Sequence, residues 1–201
     1  MNTQPSLFTP LFVGERLVLT PIDPDNDAPV FSRWAHDASY MRMLKIEPMQ
    51  PDSPFGMKKK FEALEKEAEE SKNLFYFHIR TKPTENGTGQ KLIGFTRLYW
   101  IEWTNRDARI ELGFGEPEYR GRGYGTEALR LMLHFAFLEL NLHRLTAQVP
   151  EYNLAALHLF EKAGFTREVR RREALQRDGQ RWDLFLLGLL RDEWQQAWTE
   201  A

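Results

Sequence analysis

Apolar residues recur along this chain at two different periods, and the switches between them mark out the elements. Arg16-Leu-Val-Leu-Thr-Pro21 is a short β-type run that the proline ends. Asn26-Asp-Ala-Pro29 reads as a helix start with proline in its first turn, followed by an apolar stripe of Val30, Phe31 and Trp34. After a proline-rich loop, Met49 to Pro54, the residues Phe61, Leu64 and Ala68 return at helical spacing on a highly charged helix that ends near Ser71. Glu62 and Lys66 can pair there at i,i+4. Strands are expected at 74–79 and 92–101, separated by a turn from Lys82 to Gln90, and at 108–115, where Ala108, Ile110, Leu112 and Phe114 share one face. A helix apolar almost all round spans Tyr124 to Leu140, and its composition predicts burial. A strand at 144–149, a helix from Asn153 to Ala163 closed by Gly164, and two strands joined at Arg177-Asp-Gly179 complete the chain. The order β-α-α-β-β-β-α-β-α-β-β predicts an α/β (α+β mixed) fold, a mixed sheet with helices on both sides.

Length and composition narrow the class. The 201 residues suit one domain, expected over 11–201, behind a flexible arm at 1–10. Formal net charge is −2, which argues mildly against a nucleic-acid binder and leaves room for a local basic patch. With 0 cysteines, disulfides and thiolate chemistry are excluded, and no metal site is expected. No apolar run is long enough to span a membrane, and Met1 to Pro10 lacks the pattern of a signal peptide, so a cytoplasmic protein is expected.

The chemistry concentrates in Glu116-Pro-Glu-Tyr-Arg120-Gly-Arg-Gly-Tyr-Gly125-Thr-Glu-Ala-Leu129, between a strand and a buried helix. A helix N-terminus offers unpaired N–H groups and partial positive charge, and glycines let those amides approach an anion closely. Arg120 and Arg122 add charge, so the segment reads as a pyrophosphate cradle. It is neither a P-loop, which needs GxxxxGK[ST], nor a dinucleotide fingerprint, because the sixth position counted from Gly121 is Thr126.

Arg120-x-x-Gly123-x-Gly125 resembles the [QR]-x-x-G-x-[GA] signature of the GNAT acetyltransferases. The surroundings resemble the RimJ/RimL-type branch: Glu15-Arg-Leu-Val-Leu, Asn105-Arg-x-Ala-x-x-Glu-Leu-Gly-Phe114, Glu127-Ala-Leu129, Leu142-His-Arg-Leu145 and Asn153-x-x-Ala-x-x-Leu-Phe-Glu-Lys-Ala-Gly-Phe165. Gly179-Gln-Arg-Trp-Asp183 and the ending Leu190-Arg-Asp-Glu-Trp194 extend the likeness to most of the chain. The resemblance implies the GNAT acetyltransferase fold, with a mostly antiparallel mixed sheet, and acetyl-CoA as cosubstrate. Its pantetheine arm would lie near Phe114 and Gly115, and its pyrophosphate on Arg120, Gly121, Arg122, Gly123, Tyr124, Gly125 and Thr126. Asn153 and Phe160 would face the cofactor, although Asn153 equally suits a helix N-cap.

The resemblance also implies direct transfer of acetyl from the thioester to a primary amine, which must be neutral to attack. An amine of pKa about 10.4 is neutral about once in 2,500 at pH 7, whereas an α-amine near 8 loses only about 1 kcal/mol. A general base is useful, and Glu111 and Glu102 are the candidates; an arginine partner for Glu111 and an exposed loop position for Glu102 are the competing readings. The family's tyrosine acid is replaced by Phe160 and its serine alternative by Ala156, leaving Tyr152 or water to protonate the thiolate. Those losses keep open a second reading, a weak or inactive CoA-binding sensor or scaffold. Trp34, Trp100 and Trp103 are expected in the core rather than lining an acceptor groove, and Lys162 at the surface. The acceptor is a small-molecule amine, a polyamine or a protein N-terminus, and edge strands near the C-terminus leave room for a homodimer.

Overall fold

The computed structural model describes residues 11–83 and 89–199, with side chains through 196. The expected arm at 1–10 and the middle of the Lys82–Gln90 turn lie outside them. The elements run β1 (Leu17–Thr20), α1 (Pro24–Ala35), α2 (Ala38–Leu44), α3 (Pro54–Ser71), β2 (Leu74–Thr81), β3 (Leu92–Glu102), β4 (Asp107–Phe114), α4 (Tyr124–His134), β5 (Arg144–Pro150), α5 (Leu154–Lys162), β6 (Thr166–Arg177), β7 (Gln180–Leu190) and α6 (Arg191–Thr199). The strands form one sheet in the order β1-β2-β3-β4-β5-β7-β6. Every neighbouring pair is antiparallel except β4 with β5.

Strand alternation assigns the two faces. The register Tyr76↔Arg97↔Glu111 and His78↔Phe95↔Gly113 places these six residues on the face covered by α1, α2 and α3. The opposite face carries Phe77, Ile79, Leu98 and Ile110 and packs beneath α4 and α5, whose Leu129, Met132 and Phe160 are buried. The stability of both layers comes from this two-sided burial, at roughly 25 cal/mol per Å² of apolar surface.

Four elements differ from the expectation. Asp23 caps α1 by accepting from the Asn26 amide at 3.2 Å, so the helix starts at Pro24 and Pro29 lies inside it rather than in its first turn. The short α2, capped by Asp37, carries too few residues to show a periodic stripe. The long helix expected to Leu140 is α-helical only to His134 and finishes in a π-helical turn, Phe135–Glu139. Helix α6 follows β7 directly. On α3 the i,i+4 pairs formed are Lys58–Glu62 and Lys66–Glu70, not Glu62–Lys66. Trp34 is buried as expected, but a β-bulge in β3 puts Trp100 at φ 53 and turns it outward, 65% exposed beneath the Arg109 guanidinium; Trp103 is exposed as well.

A polar knot lies inside the layer between α1 and the sheet. Asp27, 1% exposed, accepts from Nδ1 of the fully buried His78 at 2.5 Å, from Arg80 and from the Asp23 amide. Burial pulls the His78 pKa below its ordinary value, against the Asp27 carboxylate that favours the charged ring. A histidine with a depressed folded pKa takes up its proton later in the native state than in the unfolded one. Its contribution is therefore complete above about pH 6.5 and is lost as pH falls below that value through the folded pKa. His134, also lowered by burial, has the same sign. Denaturant midpoints measured from pH 7.5 down to 5.5 are expected to fall, and His78→Phe to flatten that slope while lowering the midpoint at pH 7.5.

Candidate active site

β4 and β5 pair only at Asp107↔Arg144, Ala108↔Leu145 and Arg109↔Thr146. Beyond Arg109 the two strands part, although each keeps its outer partner, β3 for β4 and β7 for β5. The gap opens into a cleft of about 290 Å³, walled by Ile110, Glu111 and Leu112 of β4, Gln148 to Pro150 of β5, and Asn153, Ala156 and Phe160 around α5. Backbone groups on a parted strand edge seek a partner, and an extended amide-bearing arm lying between the strands supplies one.

The Gly-rich turn follows the C-terminal end of β4, the end toward which the two strands part. Gly123 is the N-cap of α4 at φ +85, and no side chain caps the helix, so the first-turn amides remain open to an anion. Gly121 (φ +70), Arg122 and Thr126 are exposed beside them, and Arg122 has no carboxylate partner among the described residues. This arrangement fits a pyrophosphate on the loop and a pantetheine arm along β4. Arg120, by contrast, donates from Nε to the Phe114 carbonyl at 2.8 Å and from Nη2 to the Gly115 carbonyl at 3.0 Å. Its guanidinium thus staples the turn to the strand end, and its side chain is a support for the loop rather than a phosphate ligand. Tyr124 stacks edge-on against Tyr119 at 5.2 Å and lies under the Arg16 guanidinium, while Phe114 is half-buried near Gly125.

Glu111 stands where the cleft meets a second cavity. That cavity, about 160 Å³, lies between the sheet and α1, α2 and α3, and Arg97 and Glu111 wall both. Arg97 Nε donates to Glu111 Oε2 at 2.5 Å. Burial pushes the Glu111 carboxyl above the usual carboxylate range, against the Arg97 charge that pulls it down. Glu102 is not brought to either cavity. It sits exposed at the β3–β4 hairpin, paired with Asn105 at 2.9 Å and four residues of β4, about 13 Å, from Glu111.

Asn153 serves both of its alternatives in part. Its Oδ1 caps α5 by accepting from the Ala156 amide at 3.1 Å, and its Nδ2 donates to the Met43 carbonyl at 2.9 Å, while the residue still walls the cleft. Tyr152 donates to the Arg42 carbonyl at 3.0 Å, which commits its proton away from the thioester position. Arg177 on the β6–β7 hairpin donates to the Ile46 carbonyl at 2.6 Å, so the segment after α2 is held from two sides. Phe160 is 4% exposed and packs on Phe165; Lys162 is exposed.

Two supports of the loop had no role assigned from sequence. Glu127, 6% exposed, accepts from the Arg16 amide at 2.8 Å and from Arg16 Nε at 3.0 Å. Arg16 Nη1 in turn donates to the Arg122 carbonyl at 2.7 Å, tying β1 to the turn. Burial opposes ionisation of Glu127, but these bonds outweigh it and hold its pKa below the ordinary value. Glu116, 4% exposed, accepts from Trp34 Nε1 at 2.9 Å and pairs with Arg33 and with Lys91. Trp34 itself packs so tightly on Gly115 that a Cβ there would meet its ring at 1.9 Å. Motif residues at positions 16 and 127 were the available signal; the Trp34–Gly115 contact had none.

Gly123→Ala tests the cradle. Alanine at φ +85 is strained by about 1–2 kcal/mol, and its Cβ would lie 2.9 Å from Arg16 Nη2. The expected result, by calorimetric titration with acetyl-CoA, is an affinity at least tenfold weaker in a protein that still folds.

Comparison with known proteins agrees with this geometry. Residues 16–166 match the family model described as "Acetyltransferase (GNAT) domain". An N-acetyltransferase 9-like protein of Nematostella vectensis is 27% identical over 158 residues, covering 77% of each chain. A spermidine N(1)-acetyltransferase of Vibrio cholerae is 33% identical over 79 residues, 39% of this chain and 45% of that one. The crystal structure of spermidine N-acetyltransferase from Vibrio cholerae in complex with CoA and spermine superposes with a TM-score of 0.74 at 22% identity, covering 89% of this chain and 98% of that one. The chain belongs to the GNAT acetyltransferase family and is an acetyl-CoA-dependent N-acetyltransferase.

Proposed function

We propose that this protein acetylates a primary amine that reaches Glu111 through the cavity under α1–α3, while acetyl-CoA reaches the same carboxylate through the β4–β5 cleft. The observation that carries the reading is that the Arg97–Glu111 pair walls both cavities. Acetyl-CoA supplies the activated acetyl group. The open amides of α4 and the Arg122 guanidinium hold its phosphates, and the parted edge of β4 orients its arm. Glu111 accepts the proton that the attacking amine loses, directly or through one water. The Arg97 charge opposes the burial that raises the Glu111 pKa and so favours the ionised form that a base requires. Phe160 has no proton to give where the family carries its tyrosine acid, and a thiolate of pKa about 8.5 can take its proton from water near neutral pH. Within the family we place the chain in the RimJ/RimL-type branch on its Asn105–Phe114 and Asn153–Phe165 motifs. The exposed edge strand β6 is where two copies would pair.

The assignment of Glu111 makes two predictions. Glu111→Gln is expected to lower kcat/KM by 10²-fold or more, roughly the worth of a general base, and Glu102→Gln to leave it within a few-fold. For the native enzyme kcat/KM falls on the acid side as pH drops through the raised Glu111 pKa, and Glu111→Gln removes that limb. Acetyl-CoA at a hundredfold excess over Kd adds about 2.7 kcal/mol of stability, roughly 5–11 °C in Tm, to both variants. Equal rates for Glu111→Gln and native enzyme would show that Glu111 is not the base. A folded protein whose Tm ignores acetyl-CoA would remove the cofactor site itself.

A further inference from the structure

The cavity under α1–α3 has a chemistry that selects among amines. Most of its wall is aromatic and aliphatic, led by Phe31, Tyr40, Met41, Met57, Phe61 and Phe95, with charged side chains at five positions. Its charged groups largely cancel. Asp52 is bound by Lys60 at 2.7 Å and Glu111 by Arg97, which leaves Lys45 outside the close ion pairs of this wall, its charge also acting on Glu111. A lined cavity of about 160 Å³ matches, in size, one of about 150 Å³ that holds a benzene ring. It therefore takes an apolar group the size of a leucine, methionine or phenylalanine side chain.

Two polar groups sit at the inner end. One is Glu111. The other is the Tyr40 hydroxyl, on a residue only 6% exposed, with no hydrogen-bond partner. That hydroxyl lies against Gly113, where an ideal Cβ would be 3.0 Å from it, and Gly113 is two residues from Glu111 on the same face of β4. A buried hydroxyl left unpaired is costly, and a polar head entering beside Glu111 would supply its partner.

Resting on the acetyltransferase reading above, we propose that the acceptor is a primary amine carrying an apolar substituent next to the reacting nitrogen, and that a polyamine is disfavoured. The amine head lies at Glu111 and the Tyr40 hydroxyl, and the apolar group fills the space between α1, α2 and α3. A polyamine carries further ammonium groups, which this wall would desolvate without a free carboxylate and beside the Lys45 charge. Two sources offer the required chemistry: a polypeptide N-terminus with an apolar first residue, or a free alkyl- or arylalkylamine.

The test is a panel assayed by thiol release at pH 7.5 with saturating acetyl-CoA. It holds peptides that differ only in a first residue of Met, Leu, Phe, Ala, Ser, Asp or Lys, together with isoamylamine, phenethylamine and spermidine. Each buried methylene is worth roughly fourfold, so Leu- and Met-first peptides are expected to exceed the Ala-first peptide at least tenfold in kcat/KM, with spermidine below them all. Free amines that match those peptides identify a small-molecule source; peptides that exceed them identify an N-terminus, and either supports the proposal. Met57→Trp, which fills the cavity from its mouth, is expected to compress the Leu-to-Ala ratio, with the acetyl-CoA thermal shift reporting that the variant is folded. Spermidine, or Ser- and Lys-first peptides, used as well as Leu-first ones would overturn the proposal while leaving the acetyltransferase standing. Acetylation of no amine by a protein that binds acetyl-CoA would bring down both.

Discussion

The parting of β4 from β5 after three residue pairs is the constraint from which the rest of the site follows. Each strand keeps its outer ladder past that point, β4 with β3 and β5 with β7, so the gap lies inside the sheet and not at its edge. The ends are fixed as well. Arg120 holds the carbonyls of Phe114 and Gly115 at the end of β4. At the end of β5, Glu151 and Asp183 exchange backbone and side-chain bonds near 3.0 Å, and Asn153 caps the helix that follows. Leaving strand edges unpaired is unfavourable unless something completes them. In the proposed mechanism a substrate arm of extended amides is that completion, with its phosphates on the glycine turn.

Charge pairing divides the carboxylates around the site by role. Glu127 and Glu116 are nearly inaccessible and each is matched by cations, Arg16 for one and Arg33 with Lys91 for the other. A buried carboxylate with such partners is a positioning device, because removing either side leaves an uncompensated charge. Glu111 is paired too, yet it alone of the three walls two cavities, and there burial outweighs the Arg97 charge and raises its pKa. The same kind of pair thus gives a scaffold in two places and, in the mechanism proposed above, a base in the third. Open space beside the carboxylate makes the difference.

Much of this was legible in the sequence, for identifiable reasons. The strands of the sheet and the helices α4 and α5 carry unbroken periodicity, and the turn at 120–125 announces its chemistry through glycine spacing and arginines. What could not be read depended on contacts distant in sequence. α2 is seven residues long, too short for a stripe to emerge. Whether an arginine in a phosphate loop faces outward or inward is decided by carbonyls five and six residues behind it, so Arg120 and Arg122 look alike in the sequence and differ in the structure. Glu102 and Glu111 were equal candidates as strand carboxylates, and only the β3–β4 register separates them: one lies at the hairpin, the other mid-strand beside the parting. Trp100, expected in the core, faces outward because of a bulge that no residue type in its strand demanded.

Helix α1 joins the two halves of the site. One side of it gives Phe31 and Ala35 to the wall of the cavity under α1–α3. The next residues along its length, Arg33 and Trp34, grip Glu116, and Trp34 packs against Gly115 at the root of the phosphate turn. Acyl transfer requires the attacking nitrogen and the thioester carbon to meet within a few tenths of an ångström, and misplacement of about 1 Å can cost 10²-fold in rate. A single twelve-residue helix that touches both the cavity wall and the turn ties them together through one helical turn, with no loop between. The tight contact of an indole with a glycine, which leaves no room even for a methyl group, is what joins that helix to the cofactor turn.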